Sequence, residues 1–129
     1  MVFVEAKLFE NKEIHSARIP PVVKQLQKYE SIIKSHKQKI INAYVDQCET
    51  YSRLDGNFFI KKLPDPARIQ INPTVRLIIT DFNGAMLKHM MPGIRENIEN
   101  GMGWKNNSDN LIAVGNPKLI NAKHIFKGL

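Results

Sequence analysis

A stretch of helical periodicity about eight turns long constrains the fold of this 129-residue chain more than any other feature. Apolar or tolerated side chains recur there every three or four residues, which places them on one face of an α-helix. Pro21 suits the first helical position, and Asp55-Gly56 suits the end. The stripe consists of Val22, Leu26, Tyr29, Ile33, His36, Ile40, Tyr44, Cys48 and Tyr51.

This pattern predicts one long N-terminal helix of about 50 Å, at 1.5 Å per residue. Such a helix is longer than the diameter of a body of this size. We therefore expect part of it to project or to meet a second chain, so that the protein is a homo-oligomer or a subunit of a complex.

Segments with β-strand character lie on both sides of the predicted helix. Residues 2–9, "VFVEAKLF", alternate with a period of two, with Phe3, Glu5, Lys7 and Phe9 on one side. After Gly56 the sequence pattern changes to short apolar runs separated by prolines, which is typical of a β-meander. These runs are "NFFIKKL", "ARIQI" and "VRLIITDF".

The sequence from Asn83 onward predicts hairpins and one short helix. Asn83-Gly84 lies between apolar runs, the strongest local pattern for a hairpin turn, although "AMLKHMM" after it also favours helix. Residues 92–100 combine a proline start with apolar residues four apart and a glycine after the end, as a short helix does. "LIAV" and "KLINAKHIF" then predict a closing hairpin.

These elements predict an α+β fold in a single domain spanning residues 1–129. One long N-terminal helix is expected to pack on a largely antiparallel β-sheet, with a short second helix near residues 92–100. Cys48, the single cysteine, excludes an internal disulfide framework. No run reaches the roughly 20 apolar residues that cross a bilayer, and no signal peptide is evident, so we expect an intracellular, cytoplasmic protein.

The charge balance suggests an acidic partner such as nucleic acid. Lysine and arginine number 19 against 12 acidic residues, which gives a formal net charge of +7. However, 14 of the 19 are lysines, and arginine is the residue best shaped to bind phosphate. The charge alone is therefore weaker support for nucleic-acid binding than its size suggests.

The candidate nucleic-acid-binding residues are lysines in three parts of the chain. Phe58 and Phe59 precede one pair, an arrangement that can stack bases beside charge, although packing in a core explains both rings as well. The alternative for the helical lysines is a solvated face whose stems cover the apolar stripe. The ten candidates are Lys24, Lys28, Lys34, Lys37, Lys39, Lys61, Lys62, Lys118, Lys123 and Lys127.

A methionine-rich segment is the candidate protein interface. Flexible methionines beside a tryptophan are used at adaptable contact surfaces, and they equally serve as filler in a core. The residues are Met86, Met90, Met91, Met102 and Trp104.

Catalytic chemistry has one candidate centre. Asp81 ends the apolar run "VRLIIT", and His89 or His124 could join it in holding a metal ion. A turn aspartate bonded to nearby amides explains Asp81 without any chemistry, and we favour that interpretation. No zinc-spaced Cys and His cluster, nucleophile elbow or glycine-rich phosphate loop is present in the sequence, and we expect no cofactor.

The sequence therefore favours a non-catalytic, basic structural or binding subunit of a larger assembly. That assembly is either a ribonucleoprotein or a virion-like or other homo-oligomeric particle. The alternative is a small metal-dependent nuclease that uses Asp81 with His89 or His124.

Overall fold

A three-stranded, all-parallel sheet forms the centre of the protein, with strand order β1-β2-β3. The computed structural model describes residues 1–15, 18–54 and 63–129. Along the chain the elements are β1 (Phe3–Leu8), α1 (Pro21–Ser35), α2 (Lys37–Leu54), β2 (Val75–Thr80), α3 (Gly84–His89), α4 (Met91–Met102), β3 (Leu111–Val114) and α5 (Ala122–Ile125). Short 3₁₀ turns occur at Pro66–Arg68 and Pro117–Leu119.

The central strand β2 is buried along its whole length. Its sequence "VRLIIT" is a nearly continuous apolar run, as expected of a parallel strand covered on both faces. Phe3 pairs with Val75 at one end of the β1–β2 ladder. On the other side, Leu77 pairs with Leu111 to start the shorter β2–β3 ladder.

Two layers cover the sheet. On one face, α1 and α4 pack on the β2 side chains Leu77 and Ile79, which belong to the main core. On the opposite face, Ile78 packs with Ile112 and with the half-buried Ile125 of α5. The C-terminal segment and the helices α1 and α4 therefore lie on opposite sides of the sheet.

The prediction of one long helix is wrong, because the helical stretch divides into α1 and α2 at His36. His36 has φ −123° and ψ 22°, and its ring Nδ1 lies 3.1 Å from the carbonyl oxygen of Ile32. Ser35 and His36 have low helix propensity, so interrupting the helix at this point costs little free energy. After the break, Ile41 of α2 joins the main core.

The prediction of a largely antiparallel sheet is also wrong, since both strand pairings are parallel. Asn83 does not form a hairpin turn but is the N-cap of α3, where its side chain accepts from the backbone N–H of Met86 at 2.9 Å. Residues favourable at a turn are also favourable at a helix start. The segment after Gly84 follows its helical propensity instead.

The closing hairpin is wrong as well. "LIAV" is β3, but the segment after it contains a 3₁₀ turn and α5 rather than a strand. The short helix predicted at residues 92–100 is present as α4. The predicted strand "NFFIKKL" lies almost wholly outside the described residues, and "ARIQI" contributes to the 3₁₀ turn at Pro66–Arg68. Within the described ranges, none of the helices has the length and hydropathy that a membrane crossing requires.

Candidate active site

Strand β1 presents its charged side chains to the helical layer together with Phe3, and its other apolar side chains to the open side. Glu5 pairs in register with Leu77, and Lys7 with Ile79, so both face the main core. Their neighbours Val4 and Leu8 point the other way and are 36% and 55% exposed. This reverses the usual arrangement of a half-covered strand, and such local violations concentrate at functional sites.

Lys7 is the centre of a small ion-pair cluster. Its Nζ lies 2.9 Å from Oε1 of Glu5 and also contacts Oε2 of Glu13, and its side chain is only 10% exposed. Burial lowers the pKa of Lys7, but the hydrogen bonds and charges of Glu13 and Glu5 outweigh it, so the pKa is raised above its ordinary value. Lys7 is therefore a cation at neutral pH.

The turn after β1 brings Glu13 back to Lys7. The backbone N–H of Phe9 bonds to the carbonyl oxygen of Thr80 at 2.7 Å, which extends the contact with β2. The side chain of Asn11 accepts from the N–H of Glu13 at 2.8 Å. The carbonyl oxygen of Glu13 in turn accepts from the N–H of Val22 at 3.0 Å, which ties this turn to the start of α1.

Helix α1 supplies polar groups to the same region. Tyr29 and Glu5 line one groove of about 280 Å³ between β1 and the helices. Gln25 lies one turn before Tyr29 and donates to its hydroxyl at 2.9 Å. The side-chain oxygen Oε1 of Gln25 is buried and has no hydrogen-bond partner in the described part of the chain. The groove is lined mainly by apolar side chains, with Glu5 as the one carboxylate among the described lining residues.

Carboxylate oxygens of the kind found in this cluster bind small divalent cations, but here both carboxylates are ion-paired with Lys7. Carboxylate and amide oxygens are hard ligands, and Mg²⁺ is commonly held by one or two carboxylates together with water and substrate phosphates. Among the residues that the structure describes, no group of three or more His, Cys, Asp or Glu side chains is placed to hold a metal ion. A cation here would depend on Glu5 and Glu13 and on oxygen atoms from outside the protein.

The predicted nucleic-acid-binding lysines are spread over different surfaces. Lys24, Lys28, Lys34, Lys37 and Lys39 are exposed on α1 and α2 and form no ion pair with a described residue. Lys118, Lys123 and Lys127 are exposed in the C-terminal segment, which covers the opposite sheet face from α1. Lys61 and Lys62 lie outside the described residues. The first two groups therefore lie in separate layers.

Asp81 directly follows the central strand β2, at the edge where open parallel sheets commonly bind ligands. It has φ +64° and lines a shallow cleft with Glu10 and Asn83. His89 ends α3 and is exposed, and His124 lines a different cavity beside β3. Neither histidine lines the cleft around Asp81 as the described residues form it. The structure thus brings Asp81 near a second carboxylate rather than near a histidine.

The methionine-rich segment lies mostly against the core. Met91 is 3% exposed and belongs to the main core, whereas Met90 is 47% exposed. Three further members are half-buried against that core, namely Met86, Met102 and Trp104. This placement favours a packing role for most of the set, and an interface role stays a prediction.

Sequence reasoning placed Glu5 and Lys7 on one side of a strand but did not identify them as a site. A carboxylate and an ammonium group two residues apart on a strand share a face, and this spacing is the sequence pattern that indicates the pair. Glu13 carries no comparable pattern, because its contact with Lys7 of β1 arises from the turn that leads into α1. Comparison of the chain with known protein families, curated proteins and solved structures found no match.

Proposed function

We propose that the protein is a metal-dependent phosphodiesterase acting on nucleic acid, with Glu5, Lys7 and Glu13 at its centre. The observation that carries the proposal is the half-buried Lys7 between two carboxylates on the face of β1 that an ordinary strand would fill with apolar residues. Charges placed where they disfavour folding imply a compensating role in function.

Each residue of the cluster has a chemical role in this proposal. Glu5 and Glu13, which both contact Lys7, would hold the cation. A bound cation would supply a water of lowered pKa and would neutralise phosphate charge. Lys7, as an ammonium group, stabilises the negative charge that develops on the phosphate oxygens in the transition state.

The net charge of +7 supports a polyanionic substrate. Positive charge attracts nucleic acid and raises its local concentration without sequence preference. Exposed lysines on α1 lie on the same helix as Tyr29, which lines a groove with Glu5, and they would add to the attraction of a polyanion.

The test is cleavage of single- and double-stranded DNA and RNA with Mg²⁺ or Mn²⁺, combined with calorimetric titration of the cation. Glu5→Gln and Glu13→Gln are expected to weaken cation binding. Lys7→Gln is expected to reduce the cleavage rate by about a hundredfold or more while the cation still binds, because it removes only an electrostatic stabiliser.

Lys12→Gln is the matched control, since Lys12 is an exposed lysine in the same turn. It should leave cleavage and cation binding unchanged, and circular dichroism should show that all variants are folded. Absence of cation-dependent cleavage by the wild-type protein, or equal activity of Lys7→Gln and Lys12→Gln, would refute the proposal.

A binding subunit of a larger assembly is the second candidate function. It is favoured by exposed apolar side chains on β1 and on α2, where Leu54 is 76% exposed and Tyr44 and Tyr51 are both more than 40% exposed. On this proposal the protein binds nucleic acid without cleaving it and self-associates at micromolar concentration. Light scattering tests the self-association, because a mass of 14.8 kDa with no partner present contradicts it.

A further inference from the structure

The cavity beside the free edge of β3 lies apart from the Glu5–Lys7–Glu13 cluster, across the sheet. It measures about 360 Å³, and its lining includes Arg95, Ser108, Asp109, Ala113, His124 and Lys127. Three parts of the chain meet there, namely α4, strand β3 with the segment before it, and the C-terminal residues around α5. We propose that this cavity binds a phosphate group.

Arg95 forms the rigid side of the cavity. Its Nη1 donates to Oε1 of Glu99 at 2.9 Å and to the carbonyl oxygen of Ser108 at 3.4 Å, and its Nη2 donates to the carbonyl oxygen of Leu111 at 3.0 Å. A guanidinium group has five N–H groups. These bonds use three, so two have no partner among the described residues, and the group is already oriented for a ligand.

His124 adds a further donor. Its Nδ1 accepts the backbone N–H of Asn121 at 3.2 Å, which leaves the proton of the neutral ring on Nε2. No acceptor for Nε2 occurs in the portion of the chain that the structure describes. The ring therefore brings an unused N–H to the cavity that it lines.

The free edge of β3 contributes a backbone donor. Leu111 directs its backbone groups outward, because its N–H bonds to Ser108 and its carbonyl oxygen accepts from Arg95. Ala113 lies two residues further on, so its N–H and C=O also point away from β2. In this edge strand they meet the cavity rather than a neighbouring strand.

Lys127 and Asp109 set the charge of the cavity. Lys127 lies 3.0 Å from Oδ1 of Asp109 with its side chain 71% exposed, so it keeps donors for a second acceptor. Asp109 is the one carboxylate among the described residues that line the cavity, and of the two cations there Lys127 pairs with Asp109 and Arg95 with Glu99. Several donors from separate elements, with few acceptors, match the multiple acceptor oxygens of a phosphate better than a neutral ligand.

The test is titration of the wild-type chain, without metal, with inorganic phosphate, with adenosine monophosphate and with a short thymidine oligonucleotide. Nuclear magnetic resonance follows the Ala113 amide and the His124 ring. Shifts of both with any of these phosphates support the proposal. A response to the oligonucleotide alone assigns the site to a backbone phosphate, and a response to the small phosphates assigns it to a phosphate monoester.

Substitutions of the two partners in the Lys127–Asp109 ion pair are expected to change phosphate affinity in opposite directions. Lys127→Gln should weaken phosphate binding by about tenfold, the effect of one charge-assisted hydrogen bond, whereas Asp109→Asn should strengthen it by removing the competing carboxylate. Lys88→Gln changes an exposed lysine on α3 and should have no effect.

Phosphate binding that is equal in Lys127→Gln and Lys88→Gln, or no tighter in Asp109→Asn, would overturn the proposal. So would shifts confined to residues outside the cavity. Because binding is measured without a metal ion and without cleavage, the outcome is independent of whether the Glu5–Lys7–Glu13 cluster is catalytic.

Discussion

Nη1 of Arg76, on the central strand, donates to the backbone carbonyl oxygen of Ile125, the last residue of α5, at 2.8 Å. Arg76 is 2% exposed, and its Nε is buried without a hydrogen-bond partner in the described residues. Among the described residues its one hydrogen bond is to a neutral acceptor, and Asp109 attracts it through charge alone, so its lost hydration is incompletely compensated. This contact joins the C-terminal segment to the sheet at an energetic cost.

Arg76→Met is therefore expected to leave the free energy of unfolding unchanged or slightly higher, within about 1 kcal/mol, because an apolar side chain of similar length needs no partner. The same change should speed amide hydrogen exchange in α5, since the bond to Ile125 is lost. Urea denaturation and hydrogen exchange measure the two effects. A loss of more than about 2 kcal/mol would show that the guanidinium is a net stabiliser.

Glu99 is expected to be the most important acid for stability near β3. Its buried carboxylate accepts from Arg95 at 2.9 Å and from the backbone N–H groups of Asn107 and Ser108 at 3.1 and 2.9 Å. Glu99→Gln removes the charge and should lower the free energy of unfolding by about 2–4 kcal/mol. Thermal and urea denaturation measure this loss.

Glu96→Gln, at an exposed position of the same helix, is the control for Glu99→Gln. It should change the free energy of unfolding by less than about 0.5 kcal/mol. Equal effects of the two substitutions would contradict a special role for Glu99.

Asp109 should titrate at unusually low pH. The hydrogen bond from Lys127 lowers the pKa of this carboxyl, partial desolvation opposes it, and the charges of Lys127, Lys105 and Arg76 lower it further. A depressed pKa in the folded state stabilises the fold above the unfolded value of about 3.9, and this contribution is lost as the pH falls through the folded value.

Lys127→Gln should raise the pKa of Asp109 toward its ordinary value, because it removes both the hydrogen bond and the nearest charge. Carboxyl carbon resonances followed over a pH titration measure it in both proteins. A midpoint that does not move would show that Lys127 does not hold this carboxyl in solution.

The helical lysines are expected to contribute to nucleic-acid binding through phosphate contacts. Replacing Lys24, Lys28 and Lys39 together by glutamine should weaken binding to unrelated sequences alike and reduce the salt-dependence slope by up to about three units, since each lost contact releases one counterion fewer. All three are exposed, so the fold should persist.

Filter binding or fluorescence anisotropy across a salt series measures that slope. An unchanged slope in the triple variant would show that these lysines form only a solvated face. Lys88→Gln, a single exposed lysine on α3, provides the comparison.

Local sequence determined several elements without help from the rest of the chain. The period-two alternation around Val4, the apolar run of β2 and the proline-to-glycine frame of α4 each fall where an element occurs. These patterns depend on side chains only a few residues apart, so they survive whatever the tertiary arrangement is.

Tertiary structure alone decided the direction of the strands and the division of the long helix. A parallel and an antiparallel ladder accept the same side-chain alternation, and only distant hydrogen-bond partners distinguish them. One non-helical residue, His36, barely alters a three-to-four spacing, so the periodicity continued across the break. Asn83 is equally favourable as turn residue and as N-cap, and its use depended on the contacts of α3 and α4.

The candidate active site depended on both the local sequence and the tertiary structure. The sequence by itself determined that Glu5 and Lys7 share one face of a strand, because successive side chains of a strand point to opposite sides. Which face turns toward the helices was decided by the register with β2, and the position of Glu13 by the turn that leads into α1. Burial is a property of the whole fold, so a charged pair becomes a site only when distant elements cover it.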